Sequence, residues 1–227
     1  MNANRWPVLQ VALDLISADR AIKIAGEASE AGAQWIEAGS PLIMSEGLNV
    51  IKRLKTSFPD KVIVADLKLL EQGYLLAEMA SANGADVVTV SALSGKRNLI
   101  EAIQGARKNR AKVMVDLLWV KRSEEVPRAR TAQELGADYL CFHVGSDEAI
   151  PTSDLLIQRQ HDIATAISSV KLPVAVAGRL NDISAADMVR IGAKIVAMGT
   201  YITGSANVRQ TVANVLKSVG MAESTKT

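Results

Sequence analysis

The sequence predicts an α/β fold, a single-domain (β/α)8 barrel of the TIM type, from three observations. Short apolar runs rich in β-branched residues occur eight times, at 8–13, 35–38, 62–67, 87–90, 113–117, 139–143, 174–177 and 195–198. Each is nearly continuous rather than alternating, which is how strands covered on both faces read. Between them lie stretches of helical periodicity, such as Ala21, Ile24, Ala25, Ala28 and Ala31. Gly-Ala pairs beginning at Gly32, Gly84, Gly136 and Gly192 precede the even-numbered runs. They recur about every 52 residues, marking a βαβα unit used four times.

A glycine just past a helix can adopt the left-handed conformation that closes the last turn, so each Gly-Ala pair lets the chain drop into an even strand. The odd strands are entered differently: the first after Pro7, the third after Pro59-Asp60-Lys61, the fifth after Lys112 and the seventh after Pro173. An open doubly wound sheet also alternates strands and helices. It is disfavoured because no Gly-x-Gly-x-x-Gly fingerprint follows the first strand. A chain of 227 residues, 48% apolar, suits one barrel, expected over 1–219 with a disordered tail over 220–227.

Composition excludes several function classes. The 26 basic and 24 acidic residues are spread along the chain, so the net charge of +2 offers no basic face for nucleic acid. No stretch reaches the roughly 20 apolar residues of a membrane span, and residues 1–7 lack the apolar run of a signal peptide. The single cysteine, Cys141, rules out an intrachain disulfide and fits a reducing compartment. A cytoplasmic location is expected.

In a barrel of this type the loops after the strands build the active site. Polar residues at strand C-termini are therefore the ones to weigh: Asp14, Glu37, Asp66 with Lys68, Asp116 and His143. Singly, each has an ordinary explanation. Asp14 or Asp116 could cap a helix, Lys68 could neutralise Asp66, and His143 could be a satisfied core histidine. Together at one end of an apolar barrel, they must pair, bind an ion or do chemistry. Asp66 and Lys68, two apart on a strand, should share a face. Glu71 follows at the start of the next helix, where the helix dipole favours a carboxylate. Cys141 reads as core, His161 as exposed, Trp6, Trp35 and Trp119 as isolated, and Lys121, Arg122, Arg128 and Arg130 as a solvated helix surface.

From about Leu9 to Thr203 the chain resembles the orotidine-monophosphate-decarboxylase-type barrels, in particular the hexulose-phosphate synthase and ketogulonate-phosphate decarboxylase branch. The resemblance rests on Ala12-Leu13-Asp14, Glu37-Ala38-Gly39-Ser40-Pro41-Leu42, the segment 59–68 ending in Asp66-Leu67-Lys68, and His143-Val144-Gly145-Ser146-Asp147. It implies that Glu37 and Asp66 hold a Mg2+ ion on the enediol oxygens of a sugar phosphate. It further implies that Lys68 hydrogen-bonds those oxygens, Asp14 anchors substrate hydroxyls and orients the lysine, and His143 shuttles the proton. A divalent cation and an ammonium group both stabilise the negative charge of an enediolate. A homodimer with shared active sites is implied as well. The decarboxylases read His-Arg-Gly-Arg-Asp after strand six, and both arginines are missing here, which favours the synthase. A decarboxylase-like enzyme or related lyase on another sugar phosphate, and a barrel that binds without turnover, stay open.

The chain departs from the family pattern at three places. The strand-three element ends in Glu71 rather than the aspartate that the family supplies to the neighbouring subunit's site. The family's Gly-Gly and Gly-Arg phosphate loops read Ala177-Gly178-Arg179 and Gly199-Thr200-Tyr201 here. Arg179 is therefore expected to take over the phosphate contact, with backbone N–H groups near Gly178 and Gly199 and the Thr200 hydroxyl.

Overall fold

A computed structural model describes residues 6–145 and 152–221. Eight parallel strands close into a barrel in sequence order: β1 (Val8–Leu13), β2 (Trp35–Ala38), β3 (Val62–Leu69), β4 (Val87–Ser91), β5 (Lys112–Asp116), β6 (Tyr139–His143), β7 (Val174–Ala177) and β8 (Ile195–Met198). β1 pairs with β8 as well as with β2, leaving no open sheet edge. The helices are α1 (Ala18–Glu30), α2 (Ser40–Glu46), α3 (Asn49–Ser57), α4 (Gly73–Ala82), α5 (Lys96–Arg107), α6 (Arg122–Glu134), α7 (Thr152–Ser168), α8 (Asp182–Arg190), α9 (Thr200–Thr203) and α10 (Val208–Ser218). The (β/α)8 expectation is met. Of the expected tail, Gly220 and Met221 are described, Met221 N–H donating to the Leu216 carbonyl at 2.7 Å, and residues 222–227 lie outside the described residues.

The glycine repeat has the expected cause. Gly32, Gly84, Gly136 and Gly192 all have φ between 94° and 111°. In each case the next alanine N–H donates to a carbonyl five residues back, closing the helix end. The fifth strand uses the same device without glycine. Arg110 takes φ 65°, and Ala111 N–H donates to the Ala106 carbonyl. This strand starts at Lys112, one residue earlier than the apolar run suggests, and ends at Asp116.

Two apolar clusters divide the core. The larger packs the outer strand faces against the helices, and the smaller fills the barrel itself with Val8, Trp35, Val64, Met114, Tyr139 and Ile195 among others. Trp35 is not isolated: its ring lies 5.3 Å from that of Tyr139, edge to face, and 6.5 Å from that of Trp6. Arg128 is likewise not a solvated cation, since it donates to the Ala92 carbonyl and pairs with Glu124. His161 is exposed, as expected.

Side chains two apart on a strand face the same way. The aromatic and aliphatic plug at Trp35, Val64, Val87, Met114 and Cys141 is therefore overlain by Glu37, Asp66, Thr89, Asp116 and His143, one layer nearer the C-terminal mouth. The alternation that closes the bottom of the barrel thus aims the polar groups into its open end.

Candidate active site

A cavity of about 400 Å3 opens at the C-terminal ends of the strands. Asp14, Glu37, Asp66, Lys68, His143, Gly178, Arg179, Gly199 and Thr200 all line it. Glu71 does not: it is exposed on the loop between β3 and α4, outside the cavity of its own barrel. Ser146 and Asp147 lie outside the described residues.

Strand β3 supplies the densest chemistry, by a route that simple alternation does not give. Its pairing with β4 slips between Ala65 and Leu69, and Lys68 has φ 44°. The irregularity is pinned by Thr89, whose hydroxyl accepts from Lys68 N–H at 2.8 Å and donates to Asp66 Oδ1 at 2.9 Å. Ser40, at the start of α2, donates to Asp66 Oδ2 at 2.9 Å and to the Asp66 carbonyl at 2.7 Å. Lys68 Nζ forms an ion pair with Asp66 Oδ2. Burial works against the ammonium, but the Asp66 carboxylate beside it, with Asp116 and Glu37 behind, more than offsets this and raises its pKa.

Glu37 stands beside this pair and takes Gln10 Nε2 on its Oε2 at 2.7 Å. Its carboxyl is held well above the usual range, first by burial and then by the charge of Asp66. Gln10 Oε1 is buried without a hydrogen-bond partner. Two carboxylates forced together in a buried wall, with hard oxygen donors only, suit a hard divalent cation that would cancel their repulsion. The residues present therefore fit Mg2+.

Asp14, just after β1, sits between two loops that leave room for it. A side chain at Gly39 would begin 2.2 Å from Asp14 Oδ1, and one at Gly199 would begin 3.0 Å from Oδ2. Burial and the neighbouring Asp66 charge raise its pKa, against Lys68 and His143. Across the cavity, His143 Nδ1 lies 3.2 Å from Asp116 Oδ2, while Asp116 Oδ1 accepts the Leu118 N–H at 2.8 Å. Asp116 thus caps no helix, and it orients the imidazole with Nδ1 toward itself.

The loops after β7 and β8 form the opposite rim. Gly178 has φ 104°, and a side chain there would begin 2.1 Å from the Val144 carbonyl, so glycine is required. Arg179 follows with φ 48°. Tyr201 donates its hydroxyl to Asp182 Oδ1 at 3.0 Å, tying the β8 loop to the start of α8. Trp119, with φ 64°, completes the wall and lies so close to Gly145 that a side chain there would begin 2.8 Å from its ring.

Sequence reasoning missed Gln10, Thr89 and Trp119, and gave Ser40 no role. Gln10 and Thr89 carried a signal, each being a polar residue inside an otherwise apolar strand. Ser40 and Trp119 carried none, because their neighbours come from other parts of the chain.

A closed parallel barrel with carboxylates, a lysine and a histidine converging in its C-terminal mouth defines the class of protein: an enzyme-type (β/α)8 barrel. Residues 7–215 match the Orotidine 5'-phosphate decarboxylase / HUMPS family, and the chain belongs to that family. It is 34% identical over 200 residues to a 3-hexulose-6-phosphate synthase of Mycobacterium gastri, covering 88% of this chain and 93% of that one. A 3-hexulose-6-phosphate synthase of Bacillus subtilis is 31% identical over 204 residues, covering 89% and 94%. A crystal structure of a 3-hexulose-6-phosphate synthase superposes with a TM-score of 0.83 at 30% identity, over 93% of this chain and 99% of that one. Among the described residues, no helix is long and apolar enough to cross a membrane.

Proposed function

We propose that this barrel is a carbon–carbon lyase of ketose phosphates, acting as a 3-hexulose-6-phosphate synthase that joins ribulose 5-phosphate to formaldehyde. One observation carries the reading: Lys68, Asp66 and Glu37 converge on one side of a cavity whose other side holds His143. The names of the relatives favour the synthase, and so does the His143-Val144-Gly145 loop, which lacks the arginine of the decarboxylase pattern. The cavity volume suits a pentulose phosphate.

Glu37 and Asp66 would hold Mg2+, which supplies positive charge where the enediolate oxygens develop negative charge. Lys68, kept protonated by Asp66, donates to the same oxygens. Asp14 binds substrate hydroxyls from its place between Gly39 and Gly199. With Nδ1 turned to Asp116, His143 offers Nε2 to the substrate. It moves the proton that leaves C1 and the one that reaches the former formaldehyde oxygen. The phosphate sits on the rim formed by Gly178, Arg179, Gly199 and Thr200, where Arg179 contributes charge-assisted hydrogen bonds.

The working unit is a homodimer with shared active sites. Glu71 is exposed outside its own cavity, and Leu70, Leu75, Met79, Leu93 and Ile100 are exposed apolar side chains on α4, α5 and their leading loops. Such a patch favours burial against a second copy. The two helices beneath are stiffly joined: a side chain at Gly105 would begin 2.1 Å from the Tyr74 carbonyl, so their backbones touch.

The test is formaldehyde consumption with ribulose 5-phosphate, with and without EDTA. Consumption that needs both the sugar phosphate and the cation is expected. Release of CO2 from a keto-gulonate phosphate, with formaldehyde untouched, would select the decarboxylase instead.

A further inference from the structure

We propose that Asp116, Cys141 and His143 form a second cation site in the cavity wall, selective for a soft divalent ion such as Zn2+ or Co2+ and separate from the Glu37–Asp66 carboxylates. One donor atom of each residue lies within 4.8 Å of the other two. The placement follows from strand register. Asp116 at the end of β5 pairs directly with Cys141 on β6, and His143 stands two residues further along the same face. The Leu118 N–H fixes Asp116 Oδ1, leaving Oδ2 turned toward His143 Nδ1 at 3.2 Å.

A tetrahedral zinc ion with usual bond lengths needs donors about 3.3–3.6 Å apart. The oxygen–nitrogen separation of 3.2 Å is close to this range, and the sulfur, within 4.8 Å of both atoms, has to move inward to complete the triad. All three residues line the open cavity, so an ion can enter and keep water as a fourth ligand. The acidic side chains of Asp14, Glu37 and Asp66 share that cavity with the ammonium of Lys68 and the guanidinium of Arg179.

The donor set decides the ion. A thiolate and an imidazole select zinc or cobalt over magnesium, whereas the all-oxygen pair at Glu37 and Asp66 has the opposite preference. On binding, the ion would take the thiolate of Cys141, with the thiol proton released to solvent through the open cavity, and the lone pair of the His143 imidazole. If the proposed function holds, and this consequence rests on it, zinc then inhibits turnover by removing His143 from proton transfer.

Cys141 is the sole cysteine of the chain, which makes the test direct. Co2+ is titrated into metal-free protein while the thiolate-to-cobalt charge-transfer band is followed. One equivalent is expected to develop the band, Zn2+ to bleach it, and Mg2+ to leave it unchanged. Cys141→Ser, with Cys141→Ala as a second variant, should abolish the band, while Glu37→Gln should retain it. Absence of the band in the unaltered protein, or its loss in Glu37→Gln, overturns the site. The optical readout does not depend on turnover, so a protein inactive on ribulose 5-phosphate would refute the proposed function without touching this result. In an active protein, Cys141→Ser should tolerate at least tenfold more Zn2+ at equal inhibition. Equal sensitivity would overturn the inhibitory role.

Discussion

Replacing Thr89 by valine tests how the reactive groups of β3 are held. The side chain is 3% exposed, and its hydroxyl bonds both Lys68 N–H and Asp66 Oδ1 at the point where the strand leaves regular pairing. Valine keeps the shape and loses both bonds, stranding one buried donor and weakening the support of a buried carboxylate. At 1–3 kcal/mol for each unsatisfied buried group, the cost is about 3 kcal/mol. For a chain of this size that lowers Tm by roughly 6–12 °C. Lys68, freed from its left-handed backbone conformation, should shift, and an ångström of misplacement costs kcat about a hundredfold. Thr89→Ser, which keeps the hydroxyl, should restore most of both. Thermal melts, urea unfolding and steady-state turnover give the readouts. A Thr89→Val protein that melts and turns over like the parent would refute the idea that this hydroxyl pins the irregular segment.

Four further outcomes are expected. Glu37→Gln removes a buried charge that burial and Asp66 both disfavour, so the metal-free protein should gain about 1 kcal/mol while activity is lost; a lower urea midpoint would count against this. Because the folded-state pKa of Glu37 is raised, its contribution is fully present below the ordinary glutamate range. That contribution is lost as pH rises through the elevated value, so the metal-free Tm should fall on alkalinisation and Glu37→Gln should flatten the slope. Arg179→Ala should raise KM for the sugar phosphate about 10- to 100-fold with a smaller change in kcat, as expected for a lost charge-assisted contact; an unchanged KM would place the phosphate elsewhere. Mixing inactive Lys68→Ala with inactive Glu71→Ala subunits should restore about a quarter of the parent activity, since half of the dimers then carry one intact site. No recovery, with exchange shown by native mass spectrometry, would mean that Glu71 does not act across the interface.

The strands were legible because each is covered on both faces and so reads as an uninterrupted apolar run. The helix ends were legible where glycine marked them and hidden where Arg110 adopted the same backbone alone. Asp14, Glu37, Asp66, Lys68 and His143 could be picked out because a polar residue ending an apolar strand is costly to bury without a purpose. Glu71 could be picked out only by resemblance, since its exposed position says nothing of its own cavity.

The barrel, its repeat and the identity of the groups at its mouth are written in the order of residues, because local apolar patterning and strand parity dictate which side chains point inward. Which groups touch there emerges only when the barrel closes: Thr89 and Ser40 on Asp66, Gln10 on Glu37, Asp116 on His143 and beside Cys141. Those partners lie about 20 to 30 residues apart along the chain, and only the register of neighbouring parallel strands brings them within bonding distance.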